Sequence, residues 1–287
     1  MTLDDYRRFY AEEIKFAANL DSPVLIEAFA RVPREKFLGP GPWQIPLPSL
    51  VLGQTTYRTI NDPRDLYHNV LITLDSSRGL NSGEPGSLAM WINALSLKSG
   101  ERIFHLGCGV GYYTAILAEV VGTSGTVVAF EVDADLAVRA AANLAGYRNV
   151  TVHPGDGAEL DASAFDAMFI NAGVTHPHLP WLQRLNQGGR LVLPITAPPS
   201  EKGPVAAGLM LKVIHDSGRF PVQIVSDVAI YSCTSVRDPE LEPLIRKALA
   251  SKTLLKLKSL RLDPHEPFDA CVIHREDVCL STADPAA

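Results

Sequence analysis

From residue 88 to residue 195 short apolar runs alternate with helix-length stretches, and few folds accept that pattern. Leu88–Leu97 reads as a helix, Arg102–Leu106 as a strand, Tyr112–Val121 as a helix and Thr126–Glu131 as a strand. Ala134–Ala145 follows as an alanine-rich helix, Val150–His153 and Phe165–Asn171 as strands, His178–Leu185 as a helix and Arg190–Ile195 as a strand. Strands that are apolar throughout are buried on both faces, and strands joined through helices run parallel. The expectation is an α/β fold with a mostly parallel sheet and helices on both faces.

The flanks differ from this middle. Residues 4–20 read as an amphipathic helix, and a second helix opens at Ser22-Pro23, a cap residue followed by proline at the first helical position, to end near Phe37. From Gly39 to Ser87 no period is clear, yet Trp43, Leu47, Leu50, Val51, Tyr57, Leu66, Tyr67, Val70 and Leu71 offer apolar anchors. Ordered irregular structure covering a site is expected there. After Pro198 two longer strands, Val205–Ile214 and Pro221–Tyr231, are joined through Asp216-Ser217-Gly218, which predicts an antiparallel C-terminal edge. Pro239–Ala250 reads as a helix and 268–280 as one or two short strands. The expected organisation is a cover at 1–87, a ligand-binding domain at 88–231 and an extension of open role at 232–287.

Composition narrows the class. With 287 residues, 46% hydrophobic and 20% charged, the chain can bury a large core without staples. Its net charge of −6 argues against a whole-chain nucleic-acid binder, and the local basic stretch Lys247–Arg261 reads as a solvated face. No apolar run reaches about 18 residues, so no membrane span is expected. The opening MTLDDYRRFYAEEIKF mixes acids with bases, unlike a signal peptide. Cys108, Cys233, Cys271 and Cys279 show no CxxC pairing, which points to a reducing cytoplasm and to no zinc site.

The densest signal is His105-Leu106-Gly107-Cys108-Gly109-Val110-Gly111, between a strand and a helix. Glycines there let backbone approach a ligand while the helix N-terminus points at it. The dinucleotide fingerprint GxGxxG is not met, because Tyr112 stands where the last glycine belongs. Glu131 ends the next strand, 20 residues beyond Gly111, where a carboxylate can take both ribose hydroxyls. Asp156, in Gly155-Asp156-Gly157 after the third strand, can accept from an adenine amine. Acids at the carboxyl ends of successive parallel strands point to an adenosine ligand without a pyrophosphate.

This order continues with Phe165-Asp166-Ala167-Met168-Phe169-Ile170-Asn171-Ala172 and Gly188-Gly189-Arg190-Leu191-Val192-Leu193-Pro194. The chain thus resembles the Rossmann-like class I S-adenosylmethionine-dependent methyltransferases. More narrowly, it is similar to the protein-L-isoaspartate O-methyltransferases over roughly residues 22–230. Val32-Pro33-Arg34-Glu35-Lys36-Phe37, Asn149-Val150 and Leu182…Leu185…Gly188-Gly189 add to the likeness. The resemblance implies S-adenosyl-L-methionine as cofactor. Gly107, Cys108 and Gly109 would line its methionine part, Glu131 and the adjacent Val132 its ribose, and Asp156-Gly157 its adenine. Asn171 would sit beside the sulfonium. The partner implied is a methyl acceptor on a peptide, protein or small molecule, with no nucleic acid or membrane involved; the oligomeric state stays open.

Two departures bear on the site. His105 stands where the family carries an acidic residue; neutral it lacks the charge, and protonated it opposes the cofactor's ammonium. It remains a candidate cofactor contact. The family's Ile-Ser-x-Pro-like segment is replaced by Asn81-Ser82-Gly83-Glu84-Pro85, with glycine at the serine's place. Ser82 and Glu84 are the catalytic candidates of that segment, and Glu84 would set a negative charge beside an incoming carboxylate. Glu84, His68 and His176, then His178, are candidate bases should the acceptor need one. Four readings are open: an isoaspartyl-type carboxyl methyltransferase, the same fold acting on a natural product or modified peptide, a cofactor binder without catalysis, and an NAD oxidoreductase.

Overall fold

The structure, a computed structural model, describes residues 1–47, 55–159, 163–198 and 205–285. Its centre is a ten-stranded sheet with the spatial order β13-β14-β12-β11-β10-β9-β8-β5-β6-β7. The parallel part is built from β5 (Arg102–Leu106), β6 (Thr126–Glu131), β7 (Val150–Pro154), β8 (Phe165–Ile170) and β9 (Leu185–Ala197). β5 lies between β6 and β8, so successive crossovers leave it in opposite directions. That switch in strand order opens a crevice at the carboxyl end of β5.

Beyond β9 the named strands all pair antiparallel. β10 (Val205–Ile214) and β11 (Phe220–Tyr231) form a long hairpin, followed by β12 (Ser259–Arg261), β13 (Cys271–His274) and β14 (Cys279–Ser281). Residues 232–287 therefore contribute three strands to the same sheet through the β11–β12 pairing. β12 carries too few residues to show a period, and the sequence pattern does not mark it.

Alternation along the central strands serves two cores. Ile103, Ala167, Phe169 and Val192 face one, while Phe104, Leu106, Met168, Ile170, Leu191 and Leu193 face the other. This two-sided burial is why Ile103–Phe104, Ala167–Ile170 and Leu191–Ile195 read as apolar runs. The first core is covered by α1 (Leu3–Ala17), α2 (Pro23–Arg31), α4 (Pro85–Ala94), α5 (Tyr112–Val121) and α6 (Ala134–Asn143). The second is covered by α7 (Leu179–Gln183) and α8 (Glu242–Ala250), with Trp181 fully buried. No helix among the described residues is long and apolar enough to cross a membrane.

The N-terminal region departs most from expectation. The helix expected to reach Phe37 breaks at Val32, which takes extended backbone (ψ 116) before Pro33, and resumes as α3 (Glu35–Leu38). Proline crowds the α conformation of the residue before it. The stretch expected to be irregular holds two hairpins, β1 (Trp43–Leu47) with β2 (Thr56–Ile60) and β3 (Thr73–Asp75) with β4 (Leu80–Asn81). Leu66, Tyr67 and Ile72 are buried, whereas Leu47 and Tyr57 are exposed. Leu50 and Val51 lie outside the described residues. The helix expected at Leu88 starts at Pro85, proline being preorganised for a first turn.

Candidate functional site

The turn from β5 into α5 is written in glycine for a steric reason. Gly107 has φ +76, and a Cβ there would lie 2.8 Å from the carbonyl oxygen of Asn171. The seam between the ends of β5 and β8 closes only without a side chain. The amides of Gly107 and Cys108 both donate to the Phe130 carbonyl (2.9 and 3.1 Å), which ties the loop to β6.

Above this loop lies a cavity of about 400 Å³. Of the residues singled out in the sequence, Gly107, Cys108, Gly109, Glu131, Val132, Asp156, Gly157 and Asn171 line it, and Ser82 lines the facing wall. Glu131 is 7% exposed. Its Oε2 accepts from the Gly109 amide (2.7 Å) and its Oε1 from the Asp133 amide (3.0 Å). Burial pushes its carboxyl above the ordinary range, and the two amides oppose that rise. Each carboxylate oxygen keeps further acceptor capacity for a hydroxyl donor. Asp156 is exposed and accepts from the Ala158 amide (3.0 Å), and Asn171 Nδ2 donates to the Gly107 carbonyl (3.2 Å). The glycine-lined wall and the acceptor Glu131, with Asp156 beyond it, fit an adenosyl amino acid: bare backbone for the amino-acid arm, carboxylates for hydroxyls and an exocyclic amine.

The hairpin β3–β4 forms the roof. On one side Arg78 in its turn pairs with Asp133, the residue that caps α6 through the Leu136 amide (3.0 Å). On the other, the Tyr231 hydroxyl donates to the Gly79 carbonyl (2.6 Å). Arg78, Asp133, Tyr231 and Tyr113 all line the cavity and went unnoticed in the sequence. Asp133 and Gly79, which fix Arg78 and Tyr231 over the cavity, are 55 and 152 positions away from them, so no local pattern marks these contacts. Behind the roof Arg34, 1% exposed, donates to the carbonyls of Leu66, His68 and Val70 and to Ser82 Oγ. Ser82 Oγ also accepts from the Ile72 amide (3.1 Å). The Val32–Phe37 motif thus fastens the cover.

Several sequence expectations need correction. His105 does not line the cavity: it is fully buried in β5, stacks on Phe169 at 5.1 Å, and shares a 3.0 Å hydrogen bond between Nδ1 and Thr114 Oγ1. Burial pushes its pKa down to about 3. It is therefore neutral and opposes no ammonium. Glu84 is also off the cavity wall, held by Asn69 Nδ2 and Ser87 Oγ at the start of α4. Gly83 has φ +75, and a Cβ there would meet Leu88 Cδ2 at 2.9 Å, so this backbone is shaped for glycine.

The candidate histidine bases are likewise elsewhere. His68 stands 3.8 Å from Glu13, and His176 bonds Thr175 (3.0 Å) with its pKa pushed down to about 4, chiefly by burial. His178 packs edge-on against Trp181. Burial pushes the Cys108 thiol up to about 12, which keeps it protonated and no nucleophile.

A family model described as protein-L-isoaspartate(D-aspartate) O-methyltransferase matches residues 11–206. A protein-L-isoaspartate O-methyltransferase of Archaeoglobus fulgidus is 32% identical over 199 residues, covering 68% of this chain and 82% of that protein. One from Rhodopseudomonas palustris is 34% identical over 194 residues, covering 66% and 69%. Among solved structures, a protein-L-isoaspartate O-methyltransferase superposes with a TM-score of 0.61 at 20% identity, covering 86% of this chain and 69% of its own. A Plasmodium falciparum structure of the same description, in complex with S-adenosyl-L-homocysteine, gives 0.58 at 17% identity, covering 79% and 98%. The chain belongs to the protein-L-isoaspartate(D-aspartate) O-methyltransferase family and is an S-adenosyl-L-methionine-dependent methyltransferase with a Rossmann-like α/β fold.

Proposed function

We propose that this chain methylates the free α-carboxylate of isoaspartyl residues in peptides or proteins. Glu131 would receive the ribose of the cofactor, Asp156-Gly157 its adenine, and Gly107–Gly109 with Asn171 its methionine end. S-adenosyl-L-methionine supplies an activated methyl group when bound. The protein contributes alignment and exclusion of water, and needs no covalent intermediate.

The observation that carries this reading is that no histidine or lysine lines the cavity among the described residues, and that its carboxylates are otherwise engaged, Asp133 with Arg78 and Glu131 and Asp156 in the cofactor roles given above. Glu84, His68, His176 and His178 all lie off it. The phenols of Tyr113 and Tyr231 donate to the carbonyls of Gly83 and Gly79. An alcohol or amine acceptor needs a group to take its proton, whereas a carboxylate is already ionised at neutral pH.

The test is labelled-methyl transfer from S-adenosyl-L-methionine to an isoaspartyl peptide beside its aspartyl twin. Base-labile label on the isoaspartyl peptide alone is the expected result. No label on either, from protein that binds S-adenosyl-L-homocysteine, overturns the acceptor assignment and turns the search to other acceptors.

A further inference from the structure

At the edge of the sheet opposite β7, four donor side chains converge. His265, Cys271, His274 and Cys279 each offer one ligand atom, and these atoms all lie within 4.8 Å of one another. Six strand steps separate β14 from the glycine loop's β5, roughly 25–30 Å at sheet spacing. The cluster is therefore separate from the methyl-transfer site and independent of the function proposed above.

The backbone explains why the spacing does not look like a metal motif. In a regular strand Cys271 and His274, three apart, would point to opposite faces. The β13–β14 pairing shifts register between Cys271 and Ile273, and such a bulge reverses the facing of the residues beyond it. His274 then lies directly opposite Cys279. The segment 262–270 folds back to bring in His265. Its Nδ1 lies 2.7 Å from the Asp263 carbonyl, which can only accept, so Nδ1 carries the proton and Nε2 presents its lone pair. Nε2 stands 3.6 Å from Cys271 Sγ. A backbone carbonyl that fixes the tautomer of a ligand histidine in this way is a recurrent feature of metal sites.

Two further observations point to a ligand. His274 Nδ1 is buried and has no hydrogen-bond partner among the described residues, a cost that coordination in this cluster would offset. Around zinc, bonds of about 2.0–2.3 Å place tetrahedral neighbours about 3.3–3.8 Å apart. The Cys271–His265 pair at 3.6 Å falls in that range, and every other pair lies within 4.8 Å.

We propose that His265, Cys271, His274 and Cys279 form a structural site for a tetrahedral divalent metal, zinc in the cell. Two thiolates neutralise the ion, two imidazoles complete the shell, and four protein ligands leave no open position for catalysis. The metal would fasten the 262–270 segment to the β13–β14 hairpin and so close the free edge of the sheet.

The test begins with metal analysis of the full-length protein purified under reducing conditions, where about one zinc per chain is expected. After the metal is removed, titration with cobalt should give the intense visible bands of a tetrahedral two-thiolate site, saturating near one equivalent. Cys271→Ser and His274→Ala should each lose most of the bound zinc, and chelation should lower the thermal midpoint of the wild type. Because the cobalt titration uses wild-type protein, a variant that fails to fold does not blunt the test. Reduced wild-type protein that carries no metal and shows no cobalt bands would overturn the proposal.

Discussion

The two halves of the sheet meet at β9 and use their residues differently. On the parallel side β5, β6 and β8 are five or six residues long, and the groups that face the cavity sit at or just beyond their carboxyl ends. On the antiparallel side β9, β10 and β11 run ten to thirteen residues, and among the described residues only the exit of β11, from Tyr231 to Thr234, reaches the cavity. Short strands end often, and each end releases backbone amides and side chains toward a ligand. Long paired strands consume their polar groups in the ladder and leave side chains for packing. Binding is thus concentrated in one half and rigidity in the other.

The largest expected effect tests that division from the rigid side. Leu211 is fully buried on β10, so Leu211→Ala should cost about 2–5 kcal/mol of stability through lost packing and a cavity. Denaturant unfolding measures the loss, and calorimetry should find S-adenosyl-L-homocysteine affinity unchanged at a temperature where the variant stays folded. A matching loss of affinity would break the comparison.

On the binding side the ranking reverses. Glu131→Ala removes an acceptor from two loop amides as well as the proposed ribose contact, and should weaken S-adenosyl-L-homocysteine by about 1.5–3 kcal/mol, the scale for hydrogen bonds to a charged group. Unchanged affinity by calorimetry would mean that the ribose lies elsewhere.

His105 sharpens the comparison through pH. Its folded pKa of about 3 lies below the 6.5 of an unfolded histidine. Above pH 6.5 both states are neutral and the shift costs nothing; as pH falls toward 3 the unfolded state takes up the proton first. Stability should therefore be lost over that window at up to ~1.4 kcal/mol per pH unit from this group. His105→Asn should flatten the slope in urea titrations at pH 4–6, and an identical slope in both proteins would place the histidine in water.

The smallest effect concerns the roof. Tyr231→Phe removes one hydrogen bond to Gly79, worth about 0.5–1.5 kcal/mol. It should raise KM for an isoaspartyl peptide a few-fold while leaving S-adenosyl-L-homocysteine affinity alone. A change in cofactor affinity instead would move the roof's role from acceptor to cofactor.

Legibility in the sequence tracked the range of the signal. β5, α5, β6 and β10 fall at the residues where apolar runs and turn glycines placed them, because each is marked within its own segment. Gly107, Glu131, Asp156 and Asn171 fall on the cavity wall for the same reason: each sits at or just beyond the carboxyl end of a parallel strand. The hairpin β3–β4 and strand β12 are too short to carry a period, and both hold their place through partners far along the chain. Aligning Asn81–Pro85 by residue type put Glu84 beside the acceptor, but the turn at Gly83 and the start of α4 direct it to Asn69 and Ser87.

By itself, then, the sequence determined the doubly covered parallel core, the glycine loop and the acids at the strand ends, since burial period and turn chemistry act over a few residues. The tertiary structure alone decided that His105 faces Phe169 rather than a ligand, and that Arg78 and Tyr231 close a roof. It also decided that four donors separated by irregular spacing meet at the sheet's far edge. Those outcomes depend on which face a strand presents after packing or a bulge, and on contacts between segments whose separation no local pattern records.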